Sequence, residues 1–119
     1  MKFAIALENT PKSIELLKKF FDKMDFCKGY SLDVYTVKEF EEEDEEIKEL
    51  EELVKKELKE RGIKGEFVVE TGEPVERVSI LVESRQPDIL VASYEHSVFS
   101  NTFFEQIIKK VEVPVLVIK

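Results

Sequence analysis

The sequence predicts an α/β domain built on an open, parallel β-sheet. Three observations carry that expectation. Strand-like apolar runs alternate with amphipathic helical segments from one end of the chain to the other. The clearest run, Phe3 to Leu7, is apolar throughout, as a strand covered on both faces is. The helical segments are also bracketed by start and stop residues: Thr10-Pro11 and Gly72-Glu73-Pro74 at starts, Gly62 at an end. The crossovers between parallel strands are then expected to be right-handed. A length of 119 residues suits one domain, 1–119.

The first strand is read over Lys2 to Leu7. Thr10 follows as an N-cap with Pro11 at the first helical position, and Ile14, Leu17, Phe20, Phe21 and Met24 recur at helical spacing. Gly29 closes the next loop. The second strand spans about Ser31 to Lys38, with Leu32, Val34 and Thr36 on one face and Tyr35 and Val37 on the other. The acidic run Glu41 to Glu46 opens the longest helix, whose stripe is Ile47, Leu50, Val54 and Leu58. Lys55, Lys56, Lys59 and Arg61 crowd its end, so both charge signs suit the helix dipole. The third strand is read as Glu66 to Glu70, and the third helix turns Val75, Val78, Leu81 and Val82 inward. Pro87-Asp88 breaks the chain before a fourth strand, Ile89 to Ser93. A polar loop, Tyr94 to Asn101, leads to a helix carrying Phe103, Phe104, Ile107, Ile108 and Val111. The last strand is Pro114 to Ile118.

Composition excludes several function classes. The net charge of −8 disfavours nucleic acid and anionic membrane surfaces, both of which are bound through Lys and Arg. No apolar run approaches the length of a membrane helix, and no signal-peptide pattern is read at the start. One cysteine, Cys27, cannot form an internal disulfide, so the cytoplasm is the expected compartment. Twenty-one Glu and 15 Lys stand against two Asn and two Gln, a balance typical of hyperthermophile proteins.

Four stretches resemble one family, the universal stress proteins of the UspA type. Ile5-Ala6-Leu7-Glu8-Asn9-Thr10 is similar to the family's opening strand and its Asp-Gly-Ser cap. Gly72-Glu73-Pro74-Val75-Glu76 resembles its Gly-Asp-Pro helix start. Pro87-Asp88-Ile89-Leu90-Val91-Ala92-Ser93 resembles its Ala-Asp-Leu-Ile-Val-x-Gly strand, and Val113-Pro114-Val115-Leu116-Val117-Ile118 its closing Cys-Pro-Val-Leu-Val-Val. The resemblance covers nearly the whole chain. It implies a five-stranded sheet of order 3-2-1-4-5 with four helices on both faces, a Rossmann-like layout, and homodimers formed through the fifth strand. It also implies a division between members that bind ATP through Gly-x-x-Gly-x9-Gly-Ser/Thr after strand four and members that lack those glycines.

This chain departs from that motif. Ala92 falls at the first glycine and Asn101-Thr102 at the final Gly-Ser/Thr. The intervening segment is shorter and contains no glycine. Glycine lets the backbone approach phosphates and turn with positive φ, which Ala and the β-branched Thr do not do cheaply. Tight ATP binding is therefore not expected. On the resemblance, the candidate nucleotide cleft comprises Glu8, Asn9, Thr10, Val37, Ala92, Tyr94, Asn101 and Thr102, and the only cofactor it suggests is ATP or another adenine nucleotide.

Each candidate has a plainer explanation. Glu8 lies where open α/β sheets bind ligands, yet a solvated loop carboxylate is the commoner outcome. Thr102 with Glu105 reads as a Thr-x-x-Glu capping box, and Ser100 and Asn101 are good caps as well. A single histidine, His96, does not make a zinc site, nor a general base without a positioned partner. The acidic run lacks the Asp/Asn/Gly pattern of a calcium loop. Cys27 reads as a buried or half-buried loop thiol rather than a nucleophile. Neither a P-loop nor a Cys-x-x-Cys pair occurs.

Two functions follow as expectations. The first is a non-catalytic binding or interaction module that works as a homodimer. The second is an adenine-nucleotide-binding switch or weak ATPase acting in a stress response. The fifth strand is short, apolar and at an edge that needs cover, so Val115, Leu116, Val117 and Ile118 are the expected dimer surface.

Overall fold

β1 (Lys2–Leu7) is buried along almost its whole length, because its odd and even residues face two separate helical layers. The computed structural model describes residues 1–39, 44–93 and 102–118. After a 3-10 turn over Pro11–Ser13, the chain continues as α1 (Ile14–Lys23), β2 (Ser31–Lys38), α2 (Asp44–Arg61), β3 (Phe67–Thr71), α3 (Pro74–Arg85), β4 (Ile89–Ser93), α4 (Phe103–Lys110) and β5 (Val115–Ile118). All strand pairings are parallel and the order is β3-β2-β1-β4-β5. The expected open α/β sheet is thus present, in the order that the resemblance implies.

Two apolar cores flank the sheet. Phe3, Ile5 and Leu7 meet Leu17, Phe20 and Phe21 of α1 and Leu50, Val54 and Leu58 of α2. Ala4, Ala6, Tyr35 and Val37 meet Val75, Val78 and Val82 of α3 and Phe103 and Ile107 of α4. Each fully buried Leu or Phe stabilises the fold by about 2 kcal/mol relative to exposure. Ile108, one of the apolar residues that α4 carries, is 43% exposed. α4 has only eight residues, and its inward stripe is taken by Phe103 and Ile107.

Helix ends follow local chemistry. α2 stops in a Schellman arrangement: Ile63 N donates to Leu58 O at 2.9 Å and Gly62 N to Lys59 O at 3.2 Å, with Gly62 at φ 65°. Leu58 and Ile63 share the same core, which is the apolar contact this motif favours. α3 starts with Pro74 at its first position, and Glu73 caps it by accepting from Val75 N and Glu76 N.

Two strand starts differ from expectation by one residue. β3 begins at Phe67 because the Glu66 amide is bonded to the Asp33 side chain, and it extends to Thr71, which pairs with Lys38. β5 begins at Val115, since Pro114 has no amide hydrogen for the ladder. Residues Glu41 to Glu43 of the acidic run lie outside the described residues; the rest of it opens α2.

Candidate functional site

The sheet order reverses between β1 and β4. β2 and β3 lie to one side of that boundary and β5 to the other. The crevice outside the carboxyl ends of the strands at such a point is the usual ligand position in open α/β sheets. Here it is bordered by the segment after β1, by the ends of β2 and β4, and by the start of α4.

The segment after β1 is tied down by its own polar groups. Ser13 Oγ lies 2.7 Å from the carbonyl oxygens of both Glu8 and Thr10, sharing its proton between them. Ser13 N donates to Thr10 O at 3.1 Å. Asn9 Nδ2 donates to Val37 O at 3.1 Å, which joins this segment to the end of β2. Thr10 occupies the N-cap as expected, but its side chain makes no capping bond; the first turn is 3-10 and Ser13 does the bracing.

The structure brings Glu8, Asn9, Thr10 and Val37 together around this corner. Glu8 is the first residue beyond the paired part of β1. Val37 and Ala92 are fully buried side chains, so they offer the crevice only their main chains. Thr102 is exposed at the start of α4, but the expected capping box does not form through its hydroxyl. Thr102 has φ −108° and ψ −1°, not the extended conformation from which an N-cap oxygen reaches forward. Its Oγ1 instead accepts from Gln106 Nε2 at 3.1 Å. Tyr94 and Asn101, with His96 and Ser100, lie outside the described residues.

Lys38, which sequence reasoning did not single out, ends β2 at this crevice with its side chain mostly buried and its ammonium paired with Asp44. The signal for it was a lysine closing an apolar parallel strand. Glu73 closes the amide donors of α3 with its own carboxylate, so that helix start is not left open to an anion. Glu8, Glu39, Asp44 and Glu73 make this end of the sheet acidic by their chain positions.

A second polar cluster sits at the opposite, amino end. Asp33, buried within β2, accepts from Glu66 N at 3.1 Å and from Arg85 Nε at 3.2 Å, and lies 3.5 Å from Lys2 Nζ. Arg85 also pairs with Glu66, and that bond is the main reason its guanidinium is held more firmly charged than usual. The neighbouring Tyr35 hydroxyl is buried and, among the described residues, makes no hydrogen bond of full geometry, although Arg85 lies close enough to act on it. Burial first, and the Asp33 carboxylate second, push its pKa up to about 12, against the opposing Arg85 charge. This cluster knits β1, β2, β3 and α3 together far from the crevice.

Of the expected dimer residues, Val115, Leu116 and Val117 are half-buried along the edge strand, while Ile118 is 2% exposed. Its side chain belongs to the core under α1, by strand parity, so it leaves only its main chain for an interface. Cys27 is a free, half-buried thiol. Among the described residues no group of His, Cys, Asp and Glu is placed to hold a metal ion, and no helix is long and apolar enough to cross a membrane.

No curated protein matches the chain. Solved structures do. A universal stress protein from Archaeoglobus fulgidus superposes with a TM-score of 0.78 at 17% identity, over 100% of this chain and 93% of that one. A universal stress protein family member from Arabidopsis thaliana, solved with AMP bound, gives 0.77 at 20% identity over 100% and 91%. A universal stress protein in complex with cAMP gives 0.71 at 12% identity over 99% and 95%. At these identities the likeness is one of fold. The model of the universal stress protein family matches residues 28–119, from the end of the α1–β2 loop through β5, and the chain therefore belongs to the universal stress protein family.

Proposed function

We propose that this chain is a non-catalytic binding or interaction module of the cytoplasm that works as a homodimer and does not hold ATP tightly. One observation carries the ATP part: residues 94–102, which join β4 to α4, contain no glycine. A triphosphate is wrapped by main-chain amides, and each close approach or positive-φ turn needs a residue without a Cβ. The acidic residues around the crevice add repulsion toward phosphate. Asn9 supports the same reading, because its amide already satisfies the Val37 carbonyl. The dimer part is supported by β5, an edge strand that leaves Val115, Leu116 and Val117 only half-covered. The free Cys27 suits a reducing compartment.

The test is calorimetric titration of the purified protein with ATP, ADP and AMP, together with its mass by light scattering. The expected result is no ATP binding at micromolar ligand and a mass of two chains. Micromolar ATP affinity overturns the first statement, and a single-chain mass at micromolar protein overturns the second.

A second reading is an adenine-nucleotide switch. Glu8 at the reversal point of the sheet favours it, as do structural neighbours solved with AMP and with cAMP, each carrying one phosphate. AMP needs fewer amide contacts than ATP. On this reading AMP binds and Glu8→Ala weakens it; unchanged affinity in that variant removes Glu8 from the site.

A further inference from the structure

The loop between α1 and β2 carries Phe26 at its tip, 82% exposed, the most exposed of the large apolar side chains among the described residues. The chain turns there because Cys27 N bonds back to Met24 O at 2.9 Å and Gly29 adopts φ 74°. Leaving a phenylalanine in water forgoes about 2 kcal/mol of burial. Beside Phe26 opens a cavity of about 330 Å³, walled by Phe21, Met24, Cys27, Tyr30, Arg61 and Ile63. Its walls are held by the core behind them. Tyr30 packs edge-on against Phe3 and Phe20, with ring centroids 5.2 and 5.9 Å away, and the Arg61 guanidinium lies 4.3 Å from the Phe21 ring centroid. The cavity does not hold its own Phe26.

We propose that this knob and cavity form a self-association surface, in which Phe26 of each of two copies enters the cavity of the other. The occupant is a second copy for two reasons. A protrusion beside a hollow in its own surface pairs with a second copy under a two-fold axis, since each copy offers what the other lacks. The charges agree: Asp25 and Lys28 bracket Phe26, both strongly exposed and 4.0 Å apart within one copy. The same axis can set Asp25 of each copy against Lys28 of the other, so the ion pairs exchange without leaving a charge unmatched. The Arg61 guanidinium on the cavity wall can stack on a phenyl ring, as it already does on Phe21.

The contact is weak. An aromatic side chain buries roughly 150–250 Å², so two knobs supply only a part of the roughly 1,200 Å² that a stable interface needs. Association is therefore concentration-dependent. It is also separate from pairing through β5, because this surface lies at the amino ends of the strands beyond α1 and α2.

Cys27 reports on it directly, being the only cysteine of the chain and part of the cavity wall. The experiment follows the rate of Cys27 alkylation by N-ethylmaleimide as the full chain is raised from micromolar to millimolar concentration. The expected result is a slowing of about tenfold, set by mass action, as the cavity fills. In Phe26→Asp the rate is expected to stay constant with concentration, and in Phe26→Leu to slow by less. Both changes are at an exposed position, and an unchanged circular dichroism spectrum checks the fold. A rate that is independent of concentration in the unaltered protein overturns the proposal, and so does undiminished protection in Phe26→Asp.

Discussion

Asn9 Nδ2 donates to the carbonyl oxygen of Val37 at 3.1 Å, linking the segment after β1 to the end of β2 across 28 positions of sequence. That carbonyl faces the crevice at the carboxyl ends of the strands, where a ligand would look for an acceptor. The protein supplies the donor itself. The bond also fixes the path of Glu8 and Thr10, which Ser13 braces from the other side.

Asn9→Ala is expected to lower the unfolding free energy by about 1 kcal/mol, the usual net value of one partly buried hydrogen bond. Asn9→Asp costs more, because it points a carboxylate at a carbonyl. Urea denaturation measures both. Wild-type stability in the alanine variant would show that the Val37 carbonyl is as well satisfied by water.

Asp33 is 4% exposed and serves three partners, Lys2, Arg85 and the Glu66 amide. Asp33→Ala removes the acceptor from two cations and a main-chain donor at once, with an expected cost of about 3 kcal/mol. Asp33→Asn keeps an acceptor for the Glu66 amide and loses less. Equal effects of the two substitutions in chemical denaturation would show that charge, not hydrogen bonding, dominates here.

Tyr35 couples stability to alkaline pH. Its pKa is pushed from 10.0 to about 12 in the folded protein, so the folded state holds the phenol proton more tightly than the unfolded chain does. That contribution is complete below about pH 10 and is lost as the pH rises toward 12. Tyr35→Phe is expected to flatten this part of the stability profile. At neutral pH the variant should be no less stable than wild type, because among the described residues the hydroxyl it removes is buried with no hydrogen bond of full geometry. The check is the melting temperature of both proteins from pH 8 to 11; parallel curves would refute it.

Gly65 approaches the β2 backbone so closely that a Cβ there would sit 1.6 Å from the Leu32 carbonyl oxygen. The obstacle is main chain, which cannot rotate away as a side chain can. Gly65→Ala is expected to cost about 3 kcal/mol or more by forcing β3 off its partner. Gly62→Ala makes a useful comparison, since its Cβ would meet nothing and only the positive φ is strained. It should cost about 1 kcal/mol. A smaller loss at position 65 than at 62, in thermal unfolding, would contradict the contact.

The architecture was legible because it is written in short-range patterns. Apolar runs and their period of two placed β1, β2 and β4, and inward stripes identified the faces of α2 and α3. Gly62 and Glu73-Pro74 marked helix ends by chemistry that acts within one turn. What was not legible depends on partners far along the chain. The start of β3 depends on Asp33, more than thirty residues earlier, and Ile118 belongs to the core only because β5 pairs with β4 in one particular register. The spacing of Thr102 to Glu105 reads as a cap, but the backbone angles of Thr102 send its hydroxyl to Gln106 instead. Fold class, element order and the missing glycines are properties of neighbouring residues, and one chain suffices to read them. Which polar groups meet, which side chains an edge strand keeps for itself, and that Phe26 stands beside a hollow were decided only when distant segments packed, because hydrogen bonds and cavities are made between parts of the chain whose separation in sequence says nothing of their distance in space.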